Sequence, residues 1–264
     1  MTHKPPVLIL HAPGTNRDHE AAEACALAGG APEIVPVREL LTGPDPLDRY
    51  RMIVIPGGFS HGDDLGAGRA WALALRQQLR APIAAFIDAG RPVLGICNGF
   101  QVLLKAGLLP GPDTKAAWTD APPATLTHND TGRFECRWVT LAPDPASPCV
   151  FTRDLDDLIH CPVAHGEGRY VPRDLTTHAA LARAGQIPLR YTTLHGEAPG
   201  YPDNPNGSHD AVAALCNPRG NVMGLMPHPE DHIHPAQHPR RHRGERGRDG
   251  LRLFAAGIRH AASL

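Results

Sequence analysis

The chain has 264 residues, 26 Lys and Arg against 27 Asp and Glu, and a formal net charge of -1. That length allows one large α/β domain or two small ones with a sizeable core. Near-neutrality gives no global pull toward nucleic acid or an anionic membrane, and no apolar run reaches the roughly 18 residues that a bilayer span needs.

Met1-Thr2-His3-Lys4-Pro5-Pro6 leads straight into an apolar stretch without the long apolar region of a signal peptide. Six scattered cysteines (Cys25, Cys97, Cys136, Cys149, Cys161, Cys216) form no C-x-x-C pair. They fit free thiols in a reducing compartment, most of them buried, so a cytoplasmic protein is expected.

In chain order, Val7 to Leu10 reads as a strand and His19 to Gly29 as an alanine-rich helix. Strands follow at Glu33 to Val37 and Met52 to Ile55, the latter ending in Pro56-Gly57-Gly58. Helices are expected at Gly66 to Leu79 and Pro82 to Ala89, then a strand into Cys97 and a helix from Phe100 to Leu109. Near-continuous apolar strands alternating with helices predict an α/β fold: a mostly parallel sheet covered on both faces.

From Leu126 the pattern changes. Leu126 to Asn129 and Phe134 to Leu141 read as strands joined by a hairpin turn at Asp130-Thr131-Gly132. Leu158 to Ala164, Leu189 to Thr193, Ala211 to Cys216 and Val222 to Met226 are further short strands. They read as an antiparallel excursion of the same domain. The expectation is one domain over 1–264 with a core of about 7–230, a polar His/Arg-rich loop of about 231–249 and a closing helix of about 250–262.

The chemistry concentrates at Gly95-Ile96-Cys97-Asn98-Gly99. A buried strand that turns sharply into a helix exposes a nucleophile on the elbow, with glycines where side chains would clash. The positive end of the following helix favours the thiolate, the nucleophilic form. Pro227-His228-Pro229-Glu230 supplies a base and a carboxylate to orient it; on extended chain, positions i and i+2 face the same side.

Gly57 and Gly58 end a strand, where parallel sheets gather functional loops. Gly58 N–H is expected to pair with Asn98 N–H in stabilising an oxyanion. His232-x-His234 has a spacing that zinc can use, but its Arg- and Pro-rich surroundings point to a solvated loop, and no metal is expected. No Walker-type loop or dinucleotide fingerprint is present.

The elbow and the Pro-His-Pro-Glu segment resemble the class I glutamine amidotransferase family, whose fold is flavodoxin-like. Pro56-Gly57-Gly58-Phe59-Ser60-His61-Gly62-Asp63, Gly66-Ala67-Gly68 ahead of Trp71, Ala164-His165-Gly166-Glu167-Gly168 and Asn204-Pro205-Asn206-Gly207-Ser208 are similar to the glutaminase subunits of phosphoribosylformylglycinamidine synthases. His61 stands where that group usually has Tyr, and Asp231 where it has Arg.

The resemblance implies that Cys97, His228 and Glu230 hydrolyse glutamine through a thioester, and that Gly57, Phe59, Gln101, His165, Gly166 and Glu167 help to hold the substrate. It further implies that the ammonia passes to a synthetase subunit which carries ATP and Mg, that a small accessory subunit joins the two, and that this chain needs no cofactor. A glutaminase subunit of a different synthase and a catalytically silent relative are the alternatives.

Overall fold

The computed structural model describes residues 4–40, 47–111 and 118–264. Met1, Thr2 and His3, read above as the start of a leaderless N-terminus, lie outside them. The first half alternates β1 (Pro6–His11), α1 (Asp18–Leu27), β2 (Ala31–Pro36), the single turn α2 (Val37–Leu40), β3 (Met52–Ile55), α3 (Arg69–Gln78), α4 (Arg80–Asp88), β4 (Val93–Ile96) and α5 (Asn98–Ala106). The second half adds β5 (Ala124–Thr127), β6 (Glu135–Pro143), β7 (Ile159–His165), β8 (Arg169–Pro172), α6 (Leu175–Arg183), β9 (Leu189–Thr192), β10 (Val212–Cys216), β11 (Val222–Leu225) and α7 (Asp249–Ala262).

Nine strands form one sheet in the order β2-β1-β3-β4-β11-β10-β9-β6-β7. The strands from β2 to β11 run parallel, and β10, β9, β6 and β7 continue the sheet antiparallel. Wholly buried β3 and β4, with helices on both sides, explain the near-continuous apolar runs. Alternation along β3 shows the two faces: Met52 meets α7 at Gly257, and Ile55 meets α5 at Gly99. Because β3, β4 and β11 are adjacent and parallel, Pro56-Gly57-Gly58, Cys97 and Pro227-His228 all leave the sheet at one end.

Two expectations fail. The stretches around Leu126 and Phe134 do not pair as a hairpin: β5 pairs with β8 in a separate two-stranded sheet, while β6 lies between β7 and β9. The turn itself forms, with Gly132 N–H donating to Asn129 O at 3.0 Å. However, Asn129 and Asp130 N–H donate to Gly166 O and Asn206 O, which leads β5 away from β6. A turn signal is local and does not choose the strand's partner.

The segment after Glu230 is not a uniformly solvated loop either. It folds into short 3-10 turns at Pro229–His232, Pro235–Gln237 and Arg241–Arg243, and His232, Ile233 and His238 are buried. The polarity of His232 and His238 hid this: each ring packs edge-on against Trp138. The short β8, α2 and α6 carry no periodic signal long enough to read and were not expected.

Candidate active site

Cys97 sits between β4 and α5 with φ 49° and ψ -102°, a left-handed conformation that an L-residue enters only under strain. Its N–H donates to Leu225 O at 2.8 Å, which ties the elbow to β11. Gly99 is required by close approach: a Cβ there would stand 1.9 Å from Ile55 O. At Gly95 a Cβ would stand 2.7 Å from Gly99 O. Cys97 is 5% exposed, and its thiol lies 3.6 Å from Ala164 O.

His228 approaches this thiol from the chain that leaves β11, with Glu230 behind it. His228 Nδ1–H donates to Glu230 Oε1 at 2.7 Å, with both side chains buried. Burial opposes charge on the imidazole, yet the Glu230 carboxylate and then the Cys97 sulfur outweigh it and hold the His228 pKa well above the usual value. His228 Nε2 has no hydrogen-bond partner among the described residues and is the nitrogen free to exchange a proton with the thiol.

The segment is clamped on both sides. His228 N–H donates to Pro162 O at 2.8 Å. Gln237 Oε1 accepts from Ile233 and His234 N–H at 2.7 and 2.8 Å.

A cavity of about 200 Å³ opens over Cys97. Its lining includes Gly58, Phe59, Gln101, His165, Gly166 and Glu167, all expected, together with Asp63, His128 and Phe134, which sequence reasoning did not single out. The Phe59 and Phe134 rings, both largely exposed, lie 6.4 Å apart at its mouth. Burial, against the pull of the Gly68 N–H and with the Glu167 carboxylate nearby, raises the Asp63 pKa. Gly57 is not among the lining residues; it lies behind the triad, against the His228 ring.

Gly58 adopts φ 146°, and a Cβ there would meet Asn16 N, Thr15 Cα and Gly14 O within 2.9 Å. Its N–H is bonded to no group among the described residues, whereas its neighbour Phe59 N–H donates to Gly14 O. Asn98, the first residue of α5, offers one of the N–H groups that a helix start leaves unpaired. The Asn98 side chain is engaged elsewhere, accepting from Ser60 N–H and donating to Gln101 Oε1 at 2.9 Å. Gln101 passes the link on, donating to Glu167 O at 2.8 Å.

The His165 segment is held by Asn129, whose Nδ2 donates to His165 O and Arg133 O and whose Oδ1 accepts from His165 Nδ1–H and Gly168 N–H. Burial first, and then the nearby His228, lowers the His165 pKa to about 4. Asn206 supports the same loop by donating to Gly168 O at 2.8 Å, which makes the Asn-Pro-Asn-Gly-Ser stretch a buttress.

Of the remaining residues of interest, His61 is exposed and Asp231 pairs with Arg17 at 3.7 Å. No group of three or more His, Cys, Asp or Glu side chains suited to a metal ion occurs among the described residues. Nor, among them, is any helix long and apolar enough to cross a membrane.

Residues 4–261 match the CobB/CobQ-like glutamine amidotransferase domain. The chain is 45% identical to the phosphoribosylformylglycinamidine synthase subunit PurQ of Treponema denticola, covering 97% of this chain and 99% of that protein. It is 42% identical to the PurQ subunit of Dehalococcoides mccartyi, covering 97% and 98%. Among solved structures it resembles a chain of PurLQS from Thermotoga maritima, with TM-score 0.73, 32% identity and coverage of 97% and 99%. A glutamine amidotransferase from Thermotoga maritima, at TM-score 0.57 and 15% identity over 99% and 100% of the two chains, shares the fold.

Proposed function

Since the chain belongs to the CobB/CobQ-like glutamine amidotransferase family, we propose that it is the glutaminase subunit of a phosphoribosylformylglycinamidine synthase, a purine-biosynthesis enzyme. The observation that carries this reading is the joint placement of Cys97, buried His228–Glu230 and a small cavity in a chain 45% identical to a PurQ subunit over nearly its full length. Its partners are the synthetase subunit and the small accessory subunit of that enzyme, as the likeness to a PurLQS chain supports. We assign ATP and Mg to the synthetase, no cofactor or metal to this chain, and the cytoplasm as its location.

In the mechanism, glutamine enters the cavity between Phe59 and Phe134. The Asp63 and Glu167 carboxylates suit its ammonium group, and Gln101, His165 and Gly166 shape the wall. The Cys97 thiolate attacks the side-chain carboxamide carbon; the C–S bond forms as the carbonyl electrons move to oxygen, which the Gly58 and Asn98 N–H groups receive. Collapse breaks the C–N bond, and protonated His228 gives its proton to the departing ammonia.

The γ-glutamyl thioester is then attacked by water, from which His228 takes a proton. Glutamate leaves as the C–S bond breaks, and the Cys97 thiolate returns. Glu230 orients the imidazole throughout and stabilises its charged form.

Glutamine turnover by the purified chain, alone and with the synthetase and accessory subunits plus ATP and formylglycinamide ribonucleotide, tests this. Turnover that rises strongly in the full mixture is expected. No turnover in either condition, with Cys97 reduced, would leave the chain as a silent subunit.

A further inference from the structure

Among the described residues β7 ends the large sheet, so one of its edges has no strand beside it. Alternate carbonyls along a strand point to the same side, and here three in succession receive the active-site chain. Ala164 O faces the Cys97 thiol at 3.6 Å, Pro162 O accepts from His228 N–H at 2.8 Å, and His160 O accepts from His232 Nδ1–H at 2.6 Å. On the same edge His160 N–H donates to Asp249 Oδ2 at 3.1 Å. The edge that could otherwise pair with a strand thus serves as a rail for the nucleophile, the base and the turn that follows.

Glu230 lies between the last two of those anchor points. The turn Pro229–His232 begins at His228, held through its backbone, and ends at His232, held through its side chain. We propose that His232 is a positioning residue for the triad: its bond to His160 O fixes the far end of the turn bearing Glu230, and so the alignment of His228 with Cys97. The proposal rests on the reading of Cys97, His228 and Glu230 as the reacting groups.

The ring's environment separates this role from plain packing. His232 is 1% exposed and edge-on to Trp138 at 4.9 Å. Its Nδ1 donates to His160 O, and its Nε2 is buried with no hydrogen-bond partner among the described residues. A phenyl ring would fill the same space without desolvating a ring nitrogen. What it would lack is the Nδ1–H donor, so the donor is what a histidine adds at this position. The lever is sensitive because catalytic groups displaced by a fraction of an ångström lose most of their advantage.

The test compares His232→Phe, which keeps the ring and removes the donor, with His232→Asn, which keeps an N–H near the Nδ1 position. Alkylation of Cys97 by iodoacetamide is followed by mass spectrometry of its peptide, alongside thermal unfolding and glutamine turnover in the complex with the synthetase and accessory subunits. His232→Phe is expected to melt close to the native protein, to alkylate at Cys97 about tenfold more slowly, and to lose about tenfold in kcat with KM for glutamine little changed. His232→Asn is expected to recover most of both losses.

Native rates in a folded His232→Phe, or equal losses in both variants that follow their melting temperatures, would overturn the proposal. If the native complex turned over no glutamine, the amidotransferase reading would fall, and the alkylation rates would still decide whether His232 aligns His228 with Cys97.

Discussion

Gly57 makes room for the imidazole of His228: a Cβ at Gly57 would stand 2.7 Å from its Cε1 and 3.3 Å from its Nδ1. The ring cannot yield freely, since Glu230 holds Nδ1 at 2.7 Å. Gly57→Ala should therefore push the base off its line to the thiol while leaving the fold intact. A displacement near 1 Å predicts a loss of about 100-fold in kcat. Steady-state kinetics of the assembled enzyme, with circular dichroism as the control for folding, check this; an unchanged kcat would show that the ring relaxes without cost.

The strained backbone of Cys97 makes a prediction about stability. A left-handed L-residue costs about 1–3 kcal/mol, and glycine removes most of that while adding about 0.5–1 kcal/mol of unfolded-chain entropy. Cys97→Gly should thus be more stable than Cys97→Ala by about 1 kcal/mol in denaturant titrations, although both lack the nucleophile. Both variants should abolish glutamine-dependent synthesis by the complex yet leave synthesis from added ammonia.

Asn129 is buried and bonded through both side-chain atoms to the loop that carries His165. Asn129→Ala would strand His165 O, Arg133 O and the Gly168 N–H, each of which then costs about 1–3 kcal/mol where water cannot reach it. A loss of about 3 kcal/mol in unfolding free energy is expected, with a raised KM for glutamine. A loss below about 1 kcal/mol would mean that water replaces the side chain.

His165 predicts a pH dependence. Its folded-state pKa of about 4 lies below the ordinary 6.5, so between those values the unfolded chain binds a proton that the folded chain refuses. Stability from this group is full above about pH 6.5 and falls as the pH drops toward 4, by about 3 kcal/mol in all. Melting temperatures measured from pH 4 to 7 should fall less steeply on the acid side for His165→Gln than for the native protein. Parallel curves would show that His165 is not held neutral.

Much of this was legible in the chain. The parallel half was readable because strands buried on both faces, such as Met52–Ile55 and Val93–Ile96, are uniformly apolar. The elbow was readable because Gly95 and Gly99 answer to clashes with its own turn and the adjacent strand. The closing helix showed its apolar stripe, though not that Gly250 packs on Pro229, where a Cβ would stand 1.9 Å from Pro229 O.

The antiparallel half was legible as strands but not as pairings. Leu126 and Glu135 belong to different sheets although a turn joins their segments. Asp63 and Asn129 were not singled out for the site, and His232 was weighed only as half of a zinc-like spacing, because polar residues look alike until their partners are known.

Sequence by itself determined which groups could do the chemistry: a thiol on a glycine-flanked elbow, and a histidine two residues before a glutamate. Those features are local, since sterics and alternation act within a few residues. Only the tertiary structure decided that they meet. Placing β11 beside β4 brings His228 to Cys97, and the edge of β7 supplies the carbonyls on which that meeting hangs. Such contacts join residues far apart along the chain, and only the packing of the whole sheet sets them.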